Sequence, residues 1–168
     1  MSKFFNSPTV GIDVSADFSF VAILAPNGDV FKKPFRIKHD VSGFNHLLKE
    51  IKKVEEEFNM KTAIFMESTG VYHLSLFHFL NKNFDNTFVI NPLVTKCNKN
   101  VDIRKVKNDK KDALSIAQIG KFQNIKLSQS VSMDIFQLKS LVREYYKLTD
   151  NCSTYKKKLS TDLRVIFP

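Results

Sequence analysis

Along the first sixty residues the spacing of apolar positions changes once, from the period of strands to that of a helix. Thr9–Val14 is a β-rich apolar run with Asp13 near its end, and Phe18–Ala25 is a second. Between that run and the next, Pro26-Asn27-Gly28-Asp29 supplies the residue types that a tight turn needs. In Val30–Lys38, Phe35 and Ile37 alternate with Arg36 and Lys38, as in a half-exposed strand. Pro34 within it cannot donate to a ladder, which points to a sheet edge or a bulge. Three strands on short turns predict an antiparallel meander. From Ser42, read as a helix cap, the period lengthens. Phe44, Leu47, Leu48, Ile51, Val54 and Phe58 fall on one helical face, with Lys and Glu opposite.

Further on, Thr62–Met66 reads as a short buried strand running into Glu67, and Ser68-Thr69-Gly70 breaks it. A helix is predicted from Val71 to Asn81, then a fifth strand over Thr87–Ile90 closed by Asn91-Pro92. Asp112–Lys121 is predicted helical, with Ala113, Leu114, Ile116, Ala117 and Ile119 facing the core; residues 1–7 read as a tail. Three strands, helix, strand, helix, strand, helix describe an α/β domain with a mixed five-stranded sheet and flanking helices. This is the order of the ribonuclease H-like architecture. Sugar kinases and actin-like ATPases begin similarly, but they need a glycine-rich phosphate loop after the first aspartate. Here those positions read Val14-Ser15-Ala16-Asp17.

The last part differs in kind. A polar stretch, Gln123–Gln129, reads as a linker and divides the chain into domains 1–126 and 127–168. Beyond it, Leu138, Leu141, Tyr145, Leu148, Cys152, Tyr155 and Leu159 are separated by alternating steps of three and four, the seam of a coiled coil. A long helix is predicted over Ser132–Leu163. Its seam either pairs with another long helix or packs back on the α/β domain. Arg143, Lys147 and Lys156-Lys157-Lys158 flank it, placed to meet phosphates.

Composition narrows the function. In 168 residues, 43% hydrophobic with 16 phenylalanines, there is enough apolar surface for a packed core. No apolar run approaches a membrane span and no signal-peptide core opens the chain, so a cytoplasmic protein is expected. Cys97 and Cys152 form no ligand motif, and His39, His46, His73 and His78 make no zinc spacing with them. The net charge of +9 points to a polyanionic partner without naming one, and solubility alone would also account for it. It concentrates between Lys96 and Lys126, with nine Lys or Arg against three Asp.

Two of those three are Asp109 and Asp112. If a helix starts at Asp109, both carboxylates share one face of its first turn. They suit two jobs, capping that helix or holding a hard divalent cation while Arg104, Lys105, Lys107, Lys110 and Lys111 grip phosphates. Asp13 and Glu67 add acids at the ends of otherwise apolar strands. Each has an ordinary use, Asp13 bonding a turn amide and Glu67 capping the next helix. An isolated carboxylate buried there is costly unless paired or cation-bound. Mg²⁺, or Mn²⁺, suits an all-oxygen ligand set, and two ions about 4 Å apart would clamp both oxygens of a phosphodiester displacement.

Gly11-Ile12-Asp13-Val14, Met66-Glu67-Ser68-Thr69-Gly70-Val71-Tyr72, Asn91-Pro92 and Arg104–Ala113, in that order, resemble the DEDD transposases of bacterial insertion sequences. That family includes Piv-type invertases and bridge-RNA-guided recombinases, and the likeness covers most of residues 8–165. It implies a RuvC-like domain with Asp13, Glu67, Asp109 and Asp112 as a catalytic tetrad binding Mg²⁺, followed by a coiled coil. DNA as substrate, a guide RNA encoded by the element, and a homodimer or higher oligomer through the long helix are implied as well. Asn108 stands where a threonine is common. Family members continue into a domain with a nucleophilic serine, absent here, so the chain is expected to be the N-terminal part, inactive alone in full recombination. A stand-alone Holliday-junction nuclease and a non-enzymatic nucleic-acid-binding regulator are the alternatives.

Overall fold

The computed structural model describes residues 2–68, 71–99, 109–125 and 133–167, with backbone alone at 96–99, 133, 134 and 136. Strands β1 (Thr9–Val14), β2 (Phe18–Leu24), β3 (Val30–Lys38), β4 (Ala63–Glu67) and β5 (Thr87–Ile90) form one sheet in the order β3-β2-β1-β4-β5. β1, β2 and β3 pair antiparallel, whereas β4 lies parallel to β1 and β5 parallel to β4. This is the mixed, ribonuclease H-like sheet that the order of elements predicts. The helices are α1 (Val41–Phe58), α2 (His73–Asn83), α3 (Pro92–Lys99), α4 (Asp109–Phe122) and α5 (Met133–Ile166). The chain divides into two compact units, Met1–Gln129 and Ser130–Pro168.

Both faces of the sheet are covered, which explains the nearly continuous apolar runs of β1 and β4. Val10, Ile12, Val14, Val21, Ile23, Ile37, Ile64 and Met66 share one core cluster with Leu47, Ile51 and Val54 of α1 and Leu76, Phe77 and Leu80 of α2. On the other face Ala63, Phe65, Phe88 and Ile90 join Ile116 and Ile119 of α4. β3 is an edge strand, and its register with β2 shifts between Val21 and Ile23, beside Pro34. A proline is accommodated there because no ladder bond is required of it.

Four details differ from the sequence reading. Asp40, not Ser42, caps α1: its Oδ1 accepts the Gly43 N–H at 2.6 Å and the Ser42 hydroxyl at 2.8 Å. Asn91-Pro92 does more than close β5. Asn91 Oδ1 accepts the Leu93 N–H at 2.9 Å, and Pro92 opens α3, a helix the apolar pattern does not show. Residues 2–7 are not a loose tail. Phe4 is buried against Phe65 and Phe88, with ring centroids 5.6 and 5.1 Å apart. Leu114 is only half-buried, whereas Gly120 and Lys121 of the same helix are buried. The Lys121 ammonium is fully buried, donates to the Ser7 carbonyl at 2.8 Å, and has its pKa lowered by that burial.

In the second unit, α5 extends three residues past the expected end, and every described side chain on it is exposed. Its outward residues include the whole predicted seam. No helix among the described residues is long and apolar enough to cross a membrane.

Candidate metal and nucleic-acid site

The site is assembled by one close contact between a strand and a helix. At Gly11 on β1 an added methyl group would overlap the Ala113 carbonyl oxygen and the Ala117 amide of α4. The missing side chain therefore lets the α4 backbone lie directly on β1. Asp13, two residues on, projects from the same face of the strand, since side chains alternate. Asp109 and Asp112 open α4, in the turn where exposed N–H groups favour negative charge. Asp13, Asp109 and Asp112 each bring a carboxylate oxygen to within 4.8 Å of the other two, and all three are half-buried. The i, i+3 spacing thus serves a shared site as well as a helix start.

Glu67 follows Met66, which pairs with Ile12 in the parallel ladder, so Glu67 and Asp13 leave adjacent strands at the same end of the sheet. Its carboxylate is not part of the three-aspartate group. The Thr95 hydroxyl lies 2.8 Å from Glu67 Oε2 and 2.9 Å from the Pro92 carbonyl oxygen, so it can donate to either. Thr95 is almost fully buried, so this contact is shielded from water. Sequence reasoning misses Thr95 because α3 itself is missed. Treating Asn91-Pro92 as a helix start, with the cap before the proline, would have placed Thr95 one turn along.

Of the predicted phosphate-binding residues, Lys110 and Lys111 are exposed on the first turn of α4, between the two aspartates. Arg104, Lys105 and Lys107 lie outside the described residues. Arg143 and Lys147 belong to the second unit and are exposed on α5, with Lys147 Nζ 3.8 Å from Glu144. Three converging carboxylates are hard oxygen donors of the kind a hard divalent cation takes, and like charges this close repel unless a cation lies among them. The donor set fits such an ion.

The sheet order β3-β2-β1-β4-β5 with three convergent aspartates where β1 ends defines an α/β domain with a candidate metal site. A family model described as a transposase, that of the IS110 DEDD transposases, matches residues 10–168, and the chain belongs to that family. No curated protein compared with it matches. Among solved structures the chain is similar to T. thermophilus RuvC in complex with a Holliday junction substrate, at 12% identity over 72% of this chain and 99% of that one, TM-score 0.47. It is also similar to a second Thermus thermophilus RuvC structure, at 13% identity with the same coverage and a TM-score of 0.45. A Bacteroides thetaiotaomicron protein with an actin-like ATPase fold is 14% identical over 68% of this chain and 39% of that one, TM-score 0.40.

Proposed function

We propose that the chain is the metal-dependent, DNA-handling part of an insertion-sequence transposase or recombinase, acting in the cytoplasm on phosphodiester bonds. The observation that carries this reading is the convergence of Asp13, Asp109 and Asp112 within 4.8 Å, in a member of a transposase family. In the proposal these three hold Mg²⁺, with Mn²⁺ as a substitute, and Glu67 completes the set from β4. When bound, the cation supplies charge stabilisation at the attacking and leaving oxygens of the displacement. Asp109 and Asp112 present their carboxylates from a fixed helix turn, so no reorganisation is needed at the moment of reaction. Thr95 orients Glu67 by holding one of its oxygens. Lys110 and Lys111, with Arg104, Lys105 and Lys107, grip the backbone phosphates on either side.

Two further elements belong to the proposal. An RNA encoded by the element serves as guide, and α5 pairs through its Leu138–Leu159 seam to form a homodimer or higher oligomer. Arg143 and Lys147 add phosphate contacts from that helix.

Titrating labelled DNA with the chain, with and without Mn²⁺, tests the reading. Binding should tighten with the ion in the wild type and lose that response in Asp109→Asn/Asp112→Asn. The same ion response in both proteins would contradict it. Addition of element-derived RNA to the same titration checks the guide: RNA that leaves DNA affinity and selectivity unchanged removes it from the proposal.

A further inference from the structure

The sheet carries a second patch of chemistry level with Asp13, towards its free edge. In the ladder Asp13 pairs with Phe20, Phe20 with Arg36, and Phe18 with Lys38. Residues directly opposite one another in antiparallel strands project from the same face. Asp13, Phe20 and Arg36 therefore form a row across three strands, on the face that α4 covers further back at Gly11. At about 4.8 Å between strands, Arg36 stands roughly 10 Å from Asp13 along that row. Phe18 and Lys38 lie beside it.

This patch combines two half-buried aromatic rings with two exposed cations. On the opposite face of the same strands Ser19, Val21 and Ile37 are buried, as core residues should be. Here Phe18 and Phe20 are only half-buried, and Arg36 and Lys38 are exposed. The Arg36 guanidinium stacks on Phe18, 3.9 Å from the ring centroid, and Phe18 meets Phe20 edge to face at 5.8 Å and 88°. Among the described residues neither Arg36 nor Lys38 forms a salt bridge. Stacking on Phe18 orients the guanidinium, so its outer plane and its N–H edge are presented together.

We propose that this β2–β3 face is a nucleic-acid subsite that takes an unpaired nucleotide next to the acidic site. The base stacks on Phe20 and on the outer plane of Arg36, while Arg36 and Lys38 hold its phosphates. The inference rests on the reading that the chain handles nucleic acid at Asp13, and it adds which form of strand lies beside that site. Charge complementarity and continuity with the acids single out a nucleic acid. The aromatic rings single out an unstacked base, because a duplex keeps the faces of its bases covered.

The test is fluorescence anisotropy of the full chain with short labelled single-stranded DNA, single-stranded RNA and duplex DNA, over a range of salt, for wild type, Phe20→Leu, Arg36→Gln and Arg36→Lys. Single strands should bind more tightly than the duplex, and the DNA and RNA arms identify which strand the subsite takes. Phe20→Leu should weaken single-strand binding roughly 5- to 100-fold without changing its salt dependence. Arg36→Gln should lower the slope of log affinity against log salt by about 0.7, and Arg36→Lys should restore that slope. Because Arg36 is exposed, its two variants decide the matter even if Phe20→Leu melts early. Variants that bind single strands as wild type does, or a duplex bound equally well with the same sensitivity, would overturn the subsite alone. A wild type that binds no nucleic acid would overturn the DNA reading and the subsite with it.

Discussion

Gly11 and Thr95 show how single residues set the geometry around the acids. Gly11 fixes how near α4 comes to β1, and so how near Asp112 comes to Asp13. Gly11→Ala should cost about 1–3 kcal/mol by overpacking, read by denaturant unfolding, and should weaken Mn²⁺ binding in the molecules that fold. In the proposal, Thr95 acts through its hydroxyl on Glu67. Thr95→Val should weaken Mn²⁺ binding about 10-fold, with recovery in Thr95→Ser, read by calorimetric titration. Asp13, Asp109 and Asp112, which the structure brings together, stood out in the sequence because a carboxylate in an apolar strand and a pair three apart are chemically conspicuous. The contact of Thr95 with Glu67 did not. A threonine hydroxyl 2.8 Å from a carboxylate 28 residues away leaves no local pattern.

At the level of elements, α1 is tied to the edge strand by Glu50, which is nearly buried between Lys32 at 2.6 Å and Lys53 at 2.9 Å. The hydrogen bond from Lys32, then that from Lys53, holds the Glu50 carboxyl below its ordinary pKa. A carboxylate lowered in the folded state stabilises fully above its unfolded value, about 4.3, and loses that contribution as the pH falls through the folded value. Thermal melts across acid pH should therefore show a shallower fall in stability for Glu50→Gln than for wild type. Asp40→Ala should destabilise the protein by removing the α1 cap, and Ser42→Ala should do so less, as thermal melts of the two variants would show. Strands and amphipathic helices were readable because each repeats its own period. The packing of Phe4 and the burial of Lys121 were not, because Lys121 meets Ser7 from 114 positions away and no repeat encodes such a contact.

For the whole molecule, the long helix and the acidic site pose separate questions. The seam residues Leu138, Leu141, Tyr145, Leu148, Tyr155 and Leu159 are 60–71% exposed in the single chain, an apolar stripe that soluble proteins seldom leave uncovered. If it pairs with a second copy, sedimentation should find a dimer, and Leu141→Glu/Leu148→Glu should weaken it roughly 100-fold. A wild-type monomer at high concentration would remove α5 as the dimer contact. The alternating steps of three and four predicted the helix but not its partner, since a seam records that it needs covering and not by what.

Isothermal titration with Mn²⁺ decides whether Asp13, Asp109 and Asp112 together hold a divalent cation. The wild type should show saturable binding, and Asp112→Asn should weaken it about 100-fold or more with little change in melting temperature. A wild type that takes up no Mn²⁺ even with DNA present, or an Asp112→Asn protein that binds it equally well, would return the three aspartates to capping and turn roles.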